Sequence, residues 1–244
     1  MDRILLVLVF LLNVVSCSRE ERLRPREGFI NVKGGKIWYR VRGNGDGTPI
    51  LMLHGGPGHP SYYLNPMADL GKDRPVITFD QLGCGRSDRI TDTTLMTVEN
   101  YVDQTHQLVS HLNLGTFFLY GHSWGTMLGI EYYLKHGSNI KGLIMASPCL
   151  SAKLWLRDAD DLITILPDSI RSVLRTNMRG IPQDSTILNA AVANYLNKFY
   201  ARRQPISGDL DSANAQMGFN VYQYMWGDDE FLATGILRDF DRTS

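Results

Sequence analysis

The 244-residue sequence predicts an α/β fold with a doubly wound, mostly parallel β-sheet and an inserted helical region. Three observations lead to this prediction. Short apolar runs alternate with helical patterns between residues 28 and 148. Glycine-rich turns directly follow three of these runs. From residue 151 the strand pattern disappears, and helical patterns separated by proline or glycine continue toward the end.

The first predicted elements are a β-hairpin and two buried strands. Residues 28–42 alternate apolar and polar side chains around the Gly34-Gly35 pair, which can adopt positive φ, so we expect an antiparallel hairpin there. The runs at residues 50–53 and 75–79 are continuously apolar. Continuous runs of this length are typical of parallel strands that are covered on both faces.

Helices and strands then alternate through the rest of the core. Residues 97–114 repeat apolar side chains every three or four positions, which predicts a helix with Thr97 as its N-cap. A strand, a helix and a strand are predicted over residues 116–120, 125–135 and 140–146. The sequence therefore predicts an α/β core over residues 28–148.

The helical region is predicted to form a cap, or lid, over the core. Four helices are expected, at residues 154–166, 168–176, 185–202 and 211–224, so the cap covers residues 149–227. Residues 228–244 are expected to return to the core. Eight aromatic residues of the cap are candidates to line a pocket, although residues at such spacing more often pack a core: Trp155, Tyr195, Phe199, Tyr200, Phe219, Tyr222, Tyr224 and Trp226.

Residues 1–17 are typical of an export signal. A basic residue, Arg3, precedes an apolar run over residues 4–15 that is too short to span a bilayer. The small residue before Cys17 resembles a bacterial lipoprotein cleavage site, so we expect lipidation at Cys17. An ordinary secretory signal cut nearby is the alternative. Either interpretation predicts an exported protein of a bacterium, in the periplasm or anchored to a membrane through the lipid.

The two remaining cysteines, Cys84 and Cys149, are expected to be free thiols. They follow the fourth and sixth predicted strands, which should lie about 14 Å apart at normal strand spacing. A disulfide needs Cα atoms separated by roughly 4.4–6.8 Å.

The composition points to a small-molecule substrate. Lysine plus arginine equals aspartate plus glutamate at 25 each, so no basic field is available to bind nucleic acid. No cluster of metal-ligating residues is evident in the sequence, and we expect no metal and no organic cofactor.

The sequence GHSWG at residues 121–125 lies between an apolar strand and a helix, the context of a nucleophile elbow. Such a turn exposes the Ser123 hydroxyl as a candidate nucleophile, and the backbone N–H of Trp124 then points toward a developing oxyanion. The sequence HGGPG at residues 54–58 follows the third strand, where the N–H of Gly56 is the candidate second oxyanion donor. A plain glycine-rich turn is the alternative for this second motif.

These motifs, together with DQLGCGRS at residues 80–87 and GDDEFLATGILRDFD at residues 227–241, resemble the proline iminopeptidase (prolyl aminopeptidase) family of α/β-hydrolase serine peptidases. The resemblance implies an α/β-hydrolase fold with a helical lid. It also implies release of an N-terminal residue, often proline, through an acyl-enzyme on Ser123. In this family acidic side chains hold the free amine of the substrate, and Glu230 matches one of them. No glutamate lies between Glu131 and Glu230 to match the other.

The sequence does not supply a complete catalytic triad. Triads in this fold follow the order serine, acid, histidine, but no histidine follows His136, which would lie about 19 Å beyond Ser123 on the same helix. His59 is a further candidate for a substitute base, because it is near the site in the sequence motifs. We therefore expect a C-terminal truncation that removes the last strands and the final helix and leaves the sixth strand as an open edge. An esterase or amidase of the same fold, or a non-catalytic relic that binds a ligand, are the alternatives.

Overall fold

The computed structural model describes residues 23–243. The predicted export signal and the candidate lipidation site at Cys17 lie outside the described residues. Within residues 23–243, none of the helices has the length and apolar character required to cross a bilayer.

A six-stranded mixed sheet forms the centre of the fold. Its strands are β1 (Arg26–Val32), β2 (Gly35–Arg42), β3 (Ile50–Leu53), β4 (Val76–Phe79), β5 (Phe117–His122) and β6 (Ile140–Ala146). The spatial order is β1-β2-β4-β3-β5-β6; β1, β2 and β4 pair antiparallel, and β4, β3, β5 and β6 pair parallel. The predicted fold class is confirmed, including the hairpin and the buried β3 and β4, whose residues are all buried.

Seven α-helices are present in residues 23–243. They are α1 (Val98–His111), α2 (Trp124–His136), α3 (Ala152–Ile163), α4 (Asp168–Met178), α5 (Ser185–Phe199), α6 (Gly208–Ala215) and α7 (Phe219–Met225). Short 3-10 segments occur at Ser61–Lys72, Thr93–Leu95 and Gly137–Asn139. The side chain of Thr97 accepts a hydrogen bond from the backbone N–H of Asn100, which confirms the predicted N-cap of α1.

The prediction of one helix over residues 211–224 is wrong, because the helical structure is interrupted between α6 and α7. At the break, the N–H of Gly218 donates to the carbonyl of Gly58 at 2.8 Å. A side chain at this position would clash with the carbonyl oxygen of Gly83, so the backbone of Gly218 packs directly against two core loops. This tertiary contact ends α6 and starts α7 in a new direction.

Two clusters of buried apolar residues position the site. The larger one packs the sheet against helices α1 and α2, includes Leu51 and Phe79, and extends into α7 through Val221. The smaller one joins α3, α4 and α5 of the cap to the segment after α7 through Phe231, which is 1% exposed and packs edge-on against Tyr195. The segment after α7 is therefore anchored in the cap.

The cysteines behave as expected. Cys84 and Cys149 are both buried and both free, so the predicted pair of free thiols is confirmed. The strand order explains this result, because β3 and β5 separate the two strands that precede the cysteines.

The sixth strand is the last strand of the sheet formed by residues 23–243. Ile144 on β6 is 42% exposed. Past the cap, the chain returns to the start of α3 and to α2. Asp241 forms an isolated bridge with Ser151, the N-cap of α3, and Arg242 donates to the carboxylate of Glu131 at 2.5 Å.

Asp80, directly after β4, organises the loop that follows it. Its carboxylate is fully buried and accepts hydrogen bonds from the backbone N–H and hydroxyl of Ser61 (2.9 and 2.7 Å) and from the N–H of Arg86 (2.9 Å). The Arg86 guanidinium lies 3.9 Å away and supplies a partly exposed counter-charge. Several donors and one cation offset the cost of burying this anion.

We expect Asp80→Ala to lower the free energy of unfolding by about 3 kcal/mol, since it leaves buried N–H groups without an acceptor. Urea titration followed by circular dichroism measures the effect. Asp69→Ala is the matched control, because Asp69 is exposed and makes no side-chain hydrogen bond within the described residues. Its effect should stay within about 0.5 kcal/mol. Equal stabilities of the two variants would contradict this account of the loop.

Candidate active site

Ser123 occupies a sharp turn between β5 and α2. Its backbone has φ 53° and ψ −121°, a combination that residues other than glycine rarely adopt. The Ser123 carbonyl accepts two hydrogen bonds from Thr126, from the backbone N–H at 2.7 Å and from the hydroxyl at 2.6 Å. Side chains at Gly121 or Gly125 would clash with the backbone of Gly125 or Leu53. The turn is therefore possible only because both flanking positions are glycine.

A small, partly open cavity lies at this turn. Its lining includes all four residues of the core and cap that the sequence singled out as site candidates: Gly56, Ser123, Trp124 and Glu230. Side chains from the cap and the end of the chain close it, among them Trp155, Trp226 and Leu237. The structure thus brings together residues that are up to 174 positions apart in the sequence.

Gln81 joins the two loops that carry the candidate oxyanion donors. Its side-chain oxygen accepts a hydrogen bond from the indole N–H of Trp124 at 2.8 Å. Its backbone N–H donates to Nε2 of His54 at 2.9 Å, and its side-chain nitrogen donates to the carbonyl of His54 at 3.3 Å. Gln81 is almost fully buried, so these bonds are protected from water. The sequence showed Gln81 only as part of a family motif and gave no sign of this role.

The motif histidines orient loop backbone. Nδ1–H of His54 donates to the carbonyl of Gly55 at 2.9 Å, while Nε2 accepts from Gln81, so His54 is neutral with its proton on Nδ1. The N–H of Gly55 donates to the hydroxyl of Tyr63 (2.7 Å), which donates to Nδ1 of His122 (2.9 Å). Burial lowers the pKa of His54 and of His122, which keeps both rings neutral.

Glu230 projects into the cavity from the segment after α7. The residue as a whole is half-buried, but its carboxylate lies among protein groups and accepts a hydrogen bond from the hydroxyl of Tyr222 at 3.0 Å. Burial raises the pKa of the Glu230 carboxyl, and the nearby Asp229 raises it further, while the bond from Tyr222 lowers it. An exposed acid after a turn, the simplest interpretation of the sequence, is therefore wrong for Glu230.

The neighbouring Asp229 fixes the segment that carries Glu230. One carboxylate oxygen accepts from the N–H of Phe231 at 2.8 Å, and the other accepts from the side chain of Asn177 in α4 at 2.5 Å. Its backbone carbonyl accepts from the indole N–H of Trp226 at 3.1 Å. The position of Glu230 thus depends on contacts from both α4 and the end of α7.

A buried thiol also lines the cavity. Burial, reinforced by the nearby Glu230 carboxylate, raises the pKa of Cys149 to about 12, so its thiol is neutral at physiological pH. A neutral thiol of this kind packs as a small apolar group.

No general base contacts Ser123 in residues 23–243. None of the histidines in this part of the chain forms a hydrogen bond with Ser123. His59 instead contacts Asn214 of α6 through Nε2 at 3.0 Å and stacks on Tyr63, and burial lowers its pKa to about 4. His136 stacks on His106 at the far end of α2, with ring centroids 3.9 Å apart. The same part of the chain contains no group of three or more His, Cys, Asp or Glu side chains that could hold a metal ion.

Comparisons with known proteins agree with this architecture. Residues 48–200 match the family described as the alpha/beta hydrolase fold. The proline iminopeptidase of Heyndrickxia coagulans is 39% identical over 220 residues, which cover 89% of this chain and 76% of that protein. The proline iminopeptidase of Lactiplantibacillus plantarum is 34% identical over 86% of this chain and 75% of its own length.

A solved structure supports the same relationship. The crystal structure of the proline iminopeptidase of Mycobacterium smegmatis superimposes with a TM-score of 0.80 at 29% identity, covering 88% of this chain and 76% of that chain. Sequence identity above 30% over most of the chain and a shared three-dimensional fold lead to one conclusion. The chain belongs to the proline iminopeptidase family and is a hydrolase of the α/β-hydrolase fold.

Proposed function

We propose that this protein releases the N-terminal residue, preferably proline, from short peptides through an acyl-enzyme on Ser123. The observation that carries the proposal is that Ser123 and Glu230 share one small cavity. A nucleophile and an anionic group in one cavity suit a substrate whose scissile carbonyl lies one residue from a free amine. The family relationship and the names of the relatives support the same substrate class.

Ser123 is assigned the role of nucleophile. Its hydroxyl oxygen would attack the scissile carbonyl and form a tetrahedral oxyanion while a general base takes the hydroxyl proton. The C–N bond would then break, and the amine of the shortened peptide would leave with that proton. The N–H groups of Gly56 and Trp124 are the assigned oxyanion donors. Their loops are coupled through Gln81, so both donors are held in place before the substrate arrives. Water then hydrolyses the acyl-enzyme and releases the amino acid.

Glu230 is assigned the recognition of the substrate amine. A protonated amine loses hydration on entering the cavity and requires an anionic partner there. Two indole rings, Trp155 and Trp226, lie beside the carboxylate and offer apolar surface for a ring such as that of proline.

This mechanism needs a general base, and residues 23–243 contain no candidate for that role. The reactivity of Ser123 therefore separates two outcomes for the 244-residue chain. With a base, Ser123 turns over substrate. Without one, the chain retains the cavity and binds the ligand without hydrolysing it.

The reactivity of Ser123 gives a test of the proposed function. The purified 244-residue chain should be labelled by a fluorophosphonate probe at Ser123, and Ser123→Ala should abolish the labelling, as mass spectrometry of the tryptic peptide would show. Ser110→Ala is the matched control, because Ser110 is an exposed serine of α1, and should leave labelling unchanged. If the intact chain binds prolinamide by calorimetry but resists the probe, the binding outcome replaces catalysis.

The carboxylate of Glu230 gives a further test of the proposed function. We expect Glu230→Gln to lower kcat/KM for a proline anilide about 100-fold, since it replaces a charge-assisted contact to the amine by a neutral one. Glu99→Gln, at an exposed position in the first turn of α1, should leave kcat/KM within about twofold.

N-acetylation of the proline anilide tests the same contact from the substrate side. Acetylation removes the positive charge, so the unmodified chain should lose activity, whereas Glu230→Gln should discriminate little between the two substrates. Equal hydrolysis of both substrates by the unmodified chain would favour the esterase or amidase alternative.

A further inference from the structure

The indole nitrogen of Trp155, in α3 of the cap, has an unusual environment. It is buried, and it has no hydrogen-bond partner within the described residues. A buried indole N–H normally has an acceptor, because leaving it unpaired costs about 1–3 kcal/mol. The same side chain lines the cavity that contains Ser123 and Glu230. An unused donor therefore lies in the wall of the candidate active site.

Trp226 provides an internal comparison. The two indoles lie in the same cavity and pack edge to face, with ring centroids 6.4 Å apart and an interplanar angle of 85°. The N–H of Trp226 is already satisfied by the carbonyl of Asp229 at 3.1 Å. Of these two indole donors, only that of Trp155 is available to a new acceptor.

The Glu230 carboxylate is an acceptor that lines the same cavity as Trp155. Tyr222 donates to its Oε2, while Oε1 receives no hydrogen bond from residues 23–243. The Trp155 N–H does not form a hydrogen bond with the carboxylate in this structure, yet it lies close enough to lower the pKa of Glu230.

We propose that Trp155 is a positioning residue for Glu230: its Nε1–H donates to the ionised carboxylate, so that Trp155 and Tyr222 together hold the anion that receives the substrate amine. The role in amine recognition rests on the proposed function. The contact between the indole and the carboxylate does not.

Charge balance around Glu230 explains why a second donor is needed. The groups facing it are Asp229 in its own segment, Cys149 after β6, Tyr222 in α7, and Tyr195 and Tyr200 at the end of α5. Burial, with Glu230 nearby, raises the pKa of the Cys149 thiol and of the three phenols, so they are neutral at physiological pH. None of these groups is a cation. Neutral donors must therefore stabilise the Glu230 anion until the ammonium arrives.

The test is a titration of Glu230 by ¹³C NMR in the full chain labelled at the glutamate δ-carbon. The sequence contains six glutamates, and Glu230→Gln identifies the Glu230 signal by its loss. We expect Trp155→Phe to raise the titration midpoint by about one pH unit, a tenfold change in the ionisation constant, because the anion loses a donor. Trp226→Phe removes an indole of the same size whose N–H is used elsewhere, and should shift the midpoint much less.

Tyr222→Phe calibrates the experiment, since it removes the donor that already contacts Glu230, and it must raise the midpoint. The proposal is wrong if Tyr222→Phe raises the midpoint and Trp155→Phe does not. It is also wrong if Trp226→Phe shifts the midpoint as much as Trp155→Phe does.

A second measurement needs no substitution and covers the case in which Trp155→Phe fails to fold. The four tryptophans of the unmodified chain give four indole N–H signals after ¹⁵N labelling. The Trp155 proton should move downfield as pH rises, with the same midpoint as the Glu230 carboxyl. A Trp155 signal that is constant across that transition overturns the proposal. Both experiments are independent of turnover, so an unreactive Ser123 would reject the proposed catalysis without deciding this contact.

Discussion

The buried residue Gln81 couples the two loops that carry the candidate oxyanion donors. It lies on the loop after β4, yet it contacts the loop after β3 through His54 and the helix after β5 through Trp124. These two segments form the turns on either side of the cavity. Asp80, its neighbour, fixes the same loop to the 3-10 segment that begins at Ser61. Because the parallel strands β4, β3 and β5 end at the same edge of the sheet, the loop after β4 reaches the turns after both other strands, although β3 separates β4 from β5.

The cap contributes through a small apolar core of its own. Phe231 is inserted between helices of this core, and the adjacent Glu230 projects the opposite way, into the cavity. A charged side chain is thus held next to a firmly packed aromatic anchor. This arrangement resembles a rigid binding site more than a flexible surface loop, since burial and hydrogen bonds leave the carboxylate few alternative positions.

Sequence patterns predicted the elements whose signal is local. The continuous apolar runs of β3 and β4, the capped helix α1 and the glycine-flanked turn at Ser123 all carry their own signature. The break at Gly218 was missed because it depends on contacts with distant loops. The same reason applies to Gln81, whose partners His54 and Trp124 lie 27 and 43 positions away. It also applies to Trp155 and Glu230, which line one cavity although 75 positions separate them. Local periodicity does not indicate which side chain a buried donor will face. The position of Glu230 followed from family resemblance, whereas its environment required the tertiary structure.

The hydrogen bond between Asn177 and Asp229 has a thermodynamic consequence for the cap. It connects helix α4 to the residue next to Glu230, so displacement of α4 also displaces the carboxylate. A ligand that binds Glu230 in its present position therefore favours the arrangement of α4 that maintains this bond, and by linkage the same arrangement favours the ligand. The position of α4 and the proposed recognition of an amine at Glu230 are then linked in one binding equilibrium.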